Sequence, residues 1–496
     1  MGRPAGGAAS ISIAAAALPL LTLLAAVAAC AAFLEVRAET LVVSLLAAAA
    51  VAGVQAVRRG SSWAEIQRST GEKLAAVLPV VLILLAIGLL IGAWTASGTI
   101  PALIAAGIRL IDPGLFVLSA FLVTAVMSLA TGTSWGSAGT LGVALVGAAG
   151  ALGVSLPATA GAIVSGAYLG DKMSPLSDST NICAIGAGAD LYAHIRHMLY
   201  TATPSAVVAL VVYSTLGRGA TTASGVPPSA EALLAEIESV FSLGLWVFVP
   251  PAVVLAGVAL RVAPALALAA SSLVAMGIAV AVQGFGPGNV VAAAVSGFEV
   301  GMVTDVGVDP AAVGPVFERL LARGGLYSMA PTLVLILAAF LLAAGMDVSG
   351  ALDRLLAALL SRVRSTFGLV AATMTAGATM ISLTSHGGVT SLIVGGMFQK
   401  AYRERRLAAV NLSRSLEDSV TIVEPLLPWT VSGLFMATTL GVPTLDLLPW
   451  AVFCYGGPIV SLLLAAGFDR TGFGLRRLED DRLEGSPGDL ATDRPR

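Results

Sequence analysis

Two short polar segments interrupt a chain that is otherwise strongly apolar, and both contain the pattern Leu-X-Asp-Ser. The first copy is Leu176–Ser179, with Asp178, and the second is Leu416–Ser419, with Asp418. A carboxylate inside a membrane-embedded segment is costly and by default marks a functional pathway. Hard cations are held by carboxylate, hydroxyl, amide and carbonyl oxygens. The repeated pattern therefore predicts a cation site, with Asp178 and Asp418 as its metal ligands and Na⁺ as the candidate ion.

Other oxygen-bearing side chains surround each aspartate, and we predict that they take part in ion binding and transport. The predicted set is Asp171, Ser174, Ser177, Asp178, Ser179, Thr180 and Asn181 in the first segment, and Asp418, Ser419, Thr421 and Glu424 in the second. Pro175 is predicted to break its helix and to free backbone carbonyls nearby. A carboxylate in a partly dry cavity can bind either H⁺ or Na⁺, because desolvation disfavours its charged form.

Several of these residues have a second interpretation. Asp171 is either part of the cation site or a solvated residue at a helix end, where Lys172 is a candidate counter-ion for Asp171 or Asp178. Glu424 either carries a proton or pairs with a buried cation such as Arg414. Glu417 is an additional acidic residue that faces water if the helix ends there. His194 and His197, beside Arg196, are interpreted as an interfacial cluster.

A second matched pair of motifs precedes the polar segments, Thr133-Ser-Trp-Gly136 in one half and Thr384-Ser-His-Gly387 in the other. Each is predicted to form the tip of a re-entrant hairpin or the point where a helix unwinds. Irregular backbone at membrane depth is tolerated only where it lines a cavity or is buried in protein. The predicted tip residues are Thr131, Gly132, Thr133, Ser134, Gly136, Thr384, Ser385 and His386.

These tip residues also have a plainer explanation as polar groups that hold helices together. His386 is either a proton-relay or pH-sensing group or a structural hydrogen-bonding residue.

Composition places these residues in a polytopic membrane protein. Hydrophobic residues make up 57% of 496 positions and charged residues 11%, whereas soluble domains carry about 25% charge. The formal net charge is −2 without a basic block, so nucleic acid is not an expected partner. We expect the partners to be the lipid bilayer, Na⁺ and H⁺, with no cofactor beyond these transported ions.

Membrane spans need about 20 mostly apolar residues. The predicted apolar segments are 11–33, 39–57, 74–95, 115–131, 139–154, 156–170, 198–217, 241–259, 263–282, 326–345, 367–384, 388–398, 428–442 and 446–467. Residues 218–238 are predicted to be the loop between the halves, and 284–324 to be either a re-entrant piece or a surface helix. Basic residues flank segment 367–398 on both sides, whereas the matching flanks of the first half carry only Arg109 and Asp112 and almost no charge after them. By the positive-inside rule, the two hairpins enter from opposite sides.

The predicted fold class is an all-α polytopic membrane protein with two inverted-topology repeats, re-entrant hairpins and broken helices. The predicted divisions are N-terminal helices 1–72, a first transport repeat 73–220, a connecting loop and linking helices 221–324, a second transport repeat 325–468, and a disordered cytoplasmic tail 469–496.

Two stretches carry a resemblance to a known family. Gly170–Asn181, continued by Asp190–Tyr200, and Asn411–Ser419, continued by Pro425–Trp429, resemble the signatures of the NhaC family of Na⁺/H⁺ antiporters. The resemblance implies a multi-pass exchanger of the cytoplasmic membrane with inverted repeats and opposed hairpins, expected to be a homodimer. The wider superfamily includes exchangers that couple Na⁺ or H⁺ to organic acids such as malate and lactate.

The sequence therefore predicts a secondary transporter that exchanges cytoplasmic Na⁺ for external H⁺ by alternating access, and not an enzyme. The alternative is an Na⁺- or H⁺-coupled exchanger of a small organic acid. An intramembrane hydrolase is disfavoured because the sequence contains no His-Glu-X-X-His zinc motif, which metalloproteases use.

Overall fold

The computed structural model describes residues 11–34, 36–216, 227–361 and 363–478. Most residues in these ranges are helical, and the described part contains no β-strand beyond one isolated bridge between Leu407 and Arg477. Nine of the described helices are long and apolar enough to cross a membrane, or up to eleven spans if two bent pairs each count as one. The prediction of an all-α polytopic membrane protein is confirmed.

The first half of the chain forms ten helices. They are α1 Ile13–Phe33, α2 Ala38–Arg58, α3 Trp63–Ala96, α4 Thr99–Leu110, α5 Phe116–Thr131, α6 Ser134–Ser137, α7 Val143–Ala151, α8 Leu156–Met173, α9 Asp178–Ala187 and α10 Leu191–Leu216. A π-helical turn, Ala138–Gly142, joins α6 to α7.

The remaining chain forms thirteen further helices within the described residues. They are α11 Pro228–Val240, α12 Val249–Ala259, α13 Pro264–Ala281, α14 Pro287–Val295, α15 Pro315–Leu321, α16 Ala330–Val348, α17 Ala351–Leu360, α18 Thr366–Thr384, α19 Gly387–Glu404, α20 Ala409–Leu416, α21 Val431–Leu440, α22 Thr444–Leu447 and α23 Val452–Thr471. A second π-helical turn, Glu417–Thr421, extends α20.

Two segments predicted to lack regular structure are folded. The predicted loop 218–238 was wrong in its second part, where residues 228–240 form α11, an amphipathic helix begun by a proline; residues 218–226 lie outside the described residues. The stretch 284–324, left between two interpretations, is a series of short helices and 3₁₀ turns, of which α14 packs against α3.

The predicted disordered tail 469–496 was wrong in its first ten residues. Residues 469–471 complete α23, and the strap that follows, residues 472–478, pairs with the chain before and within α20. Ala408 N donates to Arg476 O at 3.0 Å, and Leu478 N donates to Arg406 O at 2.9 Å. Residues 479–496 lie outside the described part.

The two predicted tips are two-residue breaks of nearly the same geometry. After α5, Gly132 is left-handed (φ +69°) and Thr133 is extended (φ −144°, ψ 118°). After α18, Ser385 is left-handed (φ +51°) and His386 is extended (φ −142°, ψ 107°). A left-handed conformation is uncommon for a residue other than glycine, so Ser385 occupies a strained position. The matching geometry supports the predicted repeat.

The two halves also pack against each other reciprocally. The turn after the first tip packs on α21, where the Trp135 and Phe435 rings stack with centroids 4.6 Å apart. The helix after the second tip, α19, packs on α9, where a Cβ placed on Gly395 would lie 2.4 Å from Gly186 O. Each tip thus contacts the helix that follows the polar segment of the other half. The inverted topology and the predicted divisions stay predictions, and the division at residue 72 falls inside α3.

Candidate functional site

A fully buried ion pair joins the two halves at the centre of the polar residues. Lys172 lies in the last turn of α8 and Asp418 in the π-turn after α20; their side chains are completely inaccessible and form a salt bridge. Thr201 Oγ1 on α10 lies 3.3 Å from Asp418 Oδ1 and 3.4 Å from Lys172 Nζ. The second oxygen, Oδ2 of Asp418, accepts no hydrogen bond from the described residues. The counter-ion of Lys172 is therefore Asp418. The two candidates suggested by the sequence, Asp171 and Asp178, do not pair with it.

Glycines make room for the π-turn that carries Asp418. A Cβ on Gly457 of α23 would lie 3.2 Å from Asp418 Oδ1, and a Cβ on Gly377 of α18 would lie 2.3 Å from Ser419 Oγ. Ser419 Oγ donates to Ser415 O at 2.6 Å inside the same helix. A π-turn inserts one extra residue into a helix and is frequent at functional sites. The close approach of α18 and α23 therefore encloses Asp418 within protein.

In the first half, Asp171 is the buried carboxylate, with 6% of its surface exposed. Its Oδ2 accepts a hydrogen bond from Ser134 Oγ of the first tip at 3.1 Å and from Ser179 Oγ at 3.4 Å. Ser177 Oγ lies 3.0 Å from Ser179 Oγ. One carboxylate and three hydroxyls thus form an oxygen-rich cluster of the kind that binds hard cations. The structure thus brings together the first tip and the first polar segment.

Asp178 lies outside this cluster. It is the exposed first residue of α9, whereas its sequence counterpart Asp418 is fully buried. Ser177 caps α9 by accepting from Thr180 N at 3.4 Å, and α8 ends before Pro175, which confirms the predicted helix break. The two Leu-X-Asp-Ser copies therefore place their aspartates in different environments.

The remaining predicted residues of the first segment organise the break itself. Thr180 Oγ1 donates to the carbonyls at the end of α8, at 3.3 Å from Asp171 O and 3.2 Å from Lys172 O. Asn181 Nδ2 donates to Ser177 O at 2.7 Å, and the buried Ser174 Oγ accepts from a backbone N–H at 3.3 Å. These side chains satisfy backbone groups that a broken helix leaves without partners.

In the second half, Glu424 adjoins the second tip. It is 8% exposed, and a Cβ placed on Gly387 would lie 3.2 Å from its Oε2. Arg414 is fully buried and donates to Gly474 O of the strap at 2.6 Å, so its hydrogen bond goes to the strap and not to Glu424. Thr421 Oγ1 lies 3.9 Å from Cys183 Sγ of α9.

The tip residues mostly complete the breaks. His386 Nδ1 accepts from Val389 N at 3.2 Å and caps α19, as Thr133 caps α6. Thr384 Oγ1 lies 2.5 Å from Thr390 Oγ1, and Thr131 donates to the carbonyl four residues earlier in its own helix. The buried Ser385 hydroxyl has no partner among the described residues. His386 thus has the structural role that was one of its two interpretations.

Sequence reasoning missed a row of polar side chains on α10 and misjudged two histidines. His194 and His197 are buried against the second half, where His194 Nδ1 lies 2.7 Å from Ser413 Oγ and His197 Nε2 lies 3.0 Å from Asn411 Oδ1. The predicted interfacial cluster was therefore wrong for both. With Thr201, they recur at spacings of three and four residues, which places them on one helix face. That spacing was the available signal.

The family model for the Na⁺/H⁺ antiporter family matches residues 7–190 and 166–467. These matches cover most of the chain and both polar segments. The chain belongs to the Na⁺/H⁺ antiporter family. The two matches overlap between residues 166 and 190, the stretch that contains Lys172 and the break between α8 and α9.

Individual relatives of this Na⁺/H⁺ antiporter family support the assignment over most of their length. An uncharacterized Na⁺/H⁺ antiporter of Haemophilus influenzae is 39% identical over 86% of this chain and 90% of its own. The Na⁺/H⁺ antiporter NhaC of Alkalihalophilus pseudofirmus is 34% identical over 81% of this chain and 84% of its own. A malate-2H⁺/Na⁺-lactate antiporter of Bacillus subtilis is 30% identical over 81% of this chain and 83% of its own.

Proposed function

We propose that this protein exchanges cytoplasmic Na⁺ for external H⁺ by alternating access across the cytoplasmic membrane, as a transporter and not as an enzyme. The observation that carries the proposal is the buried pair between Lys172 and Asp418, which links the two halves. The names of the H. influenzae and A. pseudofirmus relatives point to the same exchange.

The ion pair supplies a site at which Na⁺ and a proton compete. In the described conformation the ammonium of Lys172 forms an ion pair with the carboxylate of Asp418. Na⁺ that reaches the free Oδ2 of Asp418 takes over the role of counter-charge. The displaced ammonium is then a buried cation without a counter-ion, and a buried charge is costly unless it is paired. It releases its proton, so one cation replaces the other and the net charge of the site is conserved.

Asp171 directly precedes Lys172 in the chain. The oxygen cluster around Asp171 is proposed to provide a second set of ligands on the path of Na⁺. Asp178, an exposed carboxylate at the start of α9, is proposed to raise the local concentration of cations. Glu424, beside the second tip, is proposed to carry a proton. The proposed partners are the lipid bilayer and a second copy of the chain, and no cofactor is required besides the transported ions.

The test is Na⁺-driven proton movement in proteoliposomes of purified protein, followed with a trapped pH dye. Wild type is expected to release protons when Na⁺ is added, and Asp418→Asn is expected to abolish the response while the protein still folds. Asp446→Asn removes an exposed carboxylate from α22 and is the matched control. Unchanged exchange by Asp418→Asn would refute the assignment of the site.

One relative favours a second candidate function, exchange of an organic acid coupled to Na⁺ and H⁺. The B. subtilis relative is named as a malate-2H⁺/Na⁺-lactate antiporter. This alternative predicts that the same proteoliposomes stay silent with Na⁺ alone and respond when malate or lactate is supplied. A response to Na⁺ alone excludes an obligatory organic substrate.

A further inference from the structure

A groove opens to the outside of the protein between α2 and α3, and its lining lies outside the polar segments and the tips. Its volume is about 610 Å³. Both helices pack on α16 but contact each other little, so α16 contributes Leu341 to the lining between them. A Cβ placed on Gly345 of α16 would lie 2.9 Å from Ala52 Cβ of α2. The groove is therefore a gap between two helices on a closely packed base.

The α2 wall of the groove is apolar, with small residues such as Ala49 and Gly53. No described atom lies within 4 Å of a Cβ placed on Gly53. Leu46 and Val54, which also line the wall, are 45% and 50% exposed. Leu46 and Arg58 are 12 positions apart, which is about 18 Å of helix. Half of a bilayer's hydrocarbon core is about 15 Å thick, so the wall is long enough to hold an acyl chain of one leaflet.

One end of the groove carries an unpaired positive charge. Arg58 lines this end, is exposed, and takes part in none of the ion pairs among the described residues. Residues 58–73 contain four basic and two acidic side chains. Two carboxylates of this region are engaged elsewhere: Glu65 accepts a backbone N–H at 2.8 Å at the start of α3, and Asp347 pairs with Lys73 at 3.0 Å. The Arg58 guanidinium is therefore available to an anion.

The charged end of the groove also has the features of a membrane–water interface. Trp63 lines it and is 55% exposed, and tryptophan is enriched where a membrane helix reaches the headgroups. The positive-inside rule places the basic residues around Arg58 on the cytoplasmic side. The groove thus runs from the cytoplasmic headgroup level into the leaflet.

We propose that this groove binds one anionic phospholipid of the cytoplasmic leaflet, with an acyl chain along α2 and the phosphate at Arg58. A guanidinium forms bidentate, charge-assisted hydrogen bonds to phosphate oxygens. The headgroup of phosphatidylglycerol carries only this negative charge, whereas that of phosphatidylcholine adds an ammonium that Arg58 repels. The site is separate from the buried ion pair, and the inference does not depend on the proposed exchange.

The charge requirement is tested by native mass spectrometry of the full-length protein, which is delipidated in detergent and titrated with phosphatidylglycerol or phosphatidylcholine of identical acyl chains. Wild type is expected to bind a first phosphatidylglycerol several-fold more tightly than phosphatidylcholine. Arg58→Gln is expected to weaken phosphatidylglycerol binding about fivefold, the usual contribution of one basic side chain at a membrane surface. Arg403→Gln, which removes an exposed arginine from α19, is the matched control and should change nothing. Equal affinity of wild type for the two lipids, or unchanged binding by Arg58→Gln, overturns the proposal.

The groove itself is tested by filling it. Gly53→Leu places a larger side chain in space that no described atom occupies, so the protein should fold and bind both lipids less tightly. Gly277→Leu on α13 is the control, because a Cβ there also has no described atom within 4 Å. Unchanged lipid binding by Gly53→Leu would refute the site, and a loss of dimers with unchanged lipid binding would assign the groove to a second copy of the chain. None of these measurements requires transport, so their failure would leave the test of exchange unaffected.

Discussion

Replacing Lys172 by methionine tests whether the buried ion pair is the competition site. The substitution keeps most of the length of the side chain but leaves Asp418, which is fully buried, without its counter-ion. Removing one partner of a buried pair typically destabilises a protein by about 3–5 kcal/mol. We therefore expect a markedly lower unfolding temperature for Lys172→Met in detergent without Na⁺.

Na⁺ should reverse much of this loss, because the vacated carboxylate is free to bind it. A ligand that binds only the folded state at about 100 times its Kd adds about 2.7 kcal/mol of stability. The assay is thermal unfolding against NaCl concentration, with choline chloride at matched ionic strength. Lys172→Met is expected to show a larger Na⁺-dependent rise in unfolding temperature than wild type, in which the ammonium competes.

The double variant Lys172→Met/Asp418→Asn removes both charges and completes a double-mutant cycle for the ion pair. It is expected to unfold closer to wild type than Lys172→Met does and to be insensitive to Na⁺. The control is Lys400→Met, which breaks an exposed pair with Glu404 and should change stability little. The reasoning is refuted if Lys172→Met is as stable as wild type without Na⁺, or if the double variant is less stable than both single variants.

Three further predictions follow from contacts around the site. Ser134→Ala removes a hydrogen bond to Asp171. Because hydrogen bonds to charged groups contribute about 1.5–3 kcal/mol, the Na⁺ concentration for half-maximal exchange should rise about tenfold or more. An unchanged value would exclude the Asp171 cluster from Na⁺ binding. Gly377→Ala places a Cβ 2.3 Å from Ser419 Oγ, so thermal unfolding should show a loss of about 1–3 kcal/mol of stability through overpacking. The control Gly396→Ala, whose Cβ would have no atom within 4 Å, should show no such loss. Equal effects of the two variants would contradict the packing argument. Truncation after Thr471 removes the strap carbonyls to which Arg414 and Asn411 donate hydrogen bonds. It should lower the unfolding temperature more than truncation after Leu478 does. Equal unfolding temperatures of the two truncated proteins would show that the strap adds no stability.

The parts of this architecture that could be predicted from sequence are those set by local composition. Long apolar segments specify helices such as α1 and α2 almost to the residue, because a membrane span requires length and hydrophobicity. The two tips were predictable because Gly132 and the polar residues after it cannot continue an apolar helix. The break at Pro175 has the same local origin.

The residues that were misplaced depend on contacts between distant parts of the chain. Lys172 and Asp418 are 246 positions apart, and no local pattern indicates that they meet. The shared Leu-X-Asp-Ser pattern suggested equal roles for Asp178 and Asp418, but one begins a helix at an exposed break and the other lies inside a π-turn. Glu417 was similarly ambiguous, because a helix end and a buried π-turn have the same sequence appearance. Burial at such positions is decided by the neighbouring helices.

The contact between Gly186 and Gly395 bears on which parts of the molecule move together. Backbone touches backbone there, and Gln399 Nε2 of α19 also donates to Gly186 O at 2.9 Å. Because their backbones meet so closely, we expect α9 and α19 to move as one unit, although they come from different halves. The stacked rings of Trp135 and Phe435 also join the segment after the first tip to α21. We therefore expect the bodies that move in the proposed transport cycle to combine segments of both halves, and not to follow the predicted division of the chain into repeats.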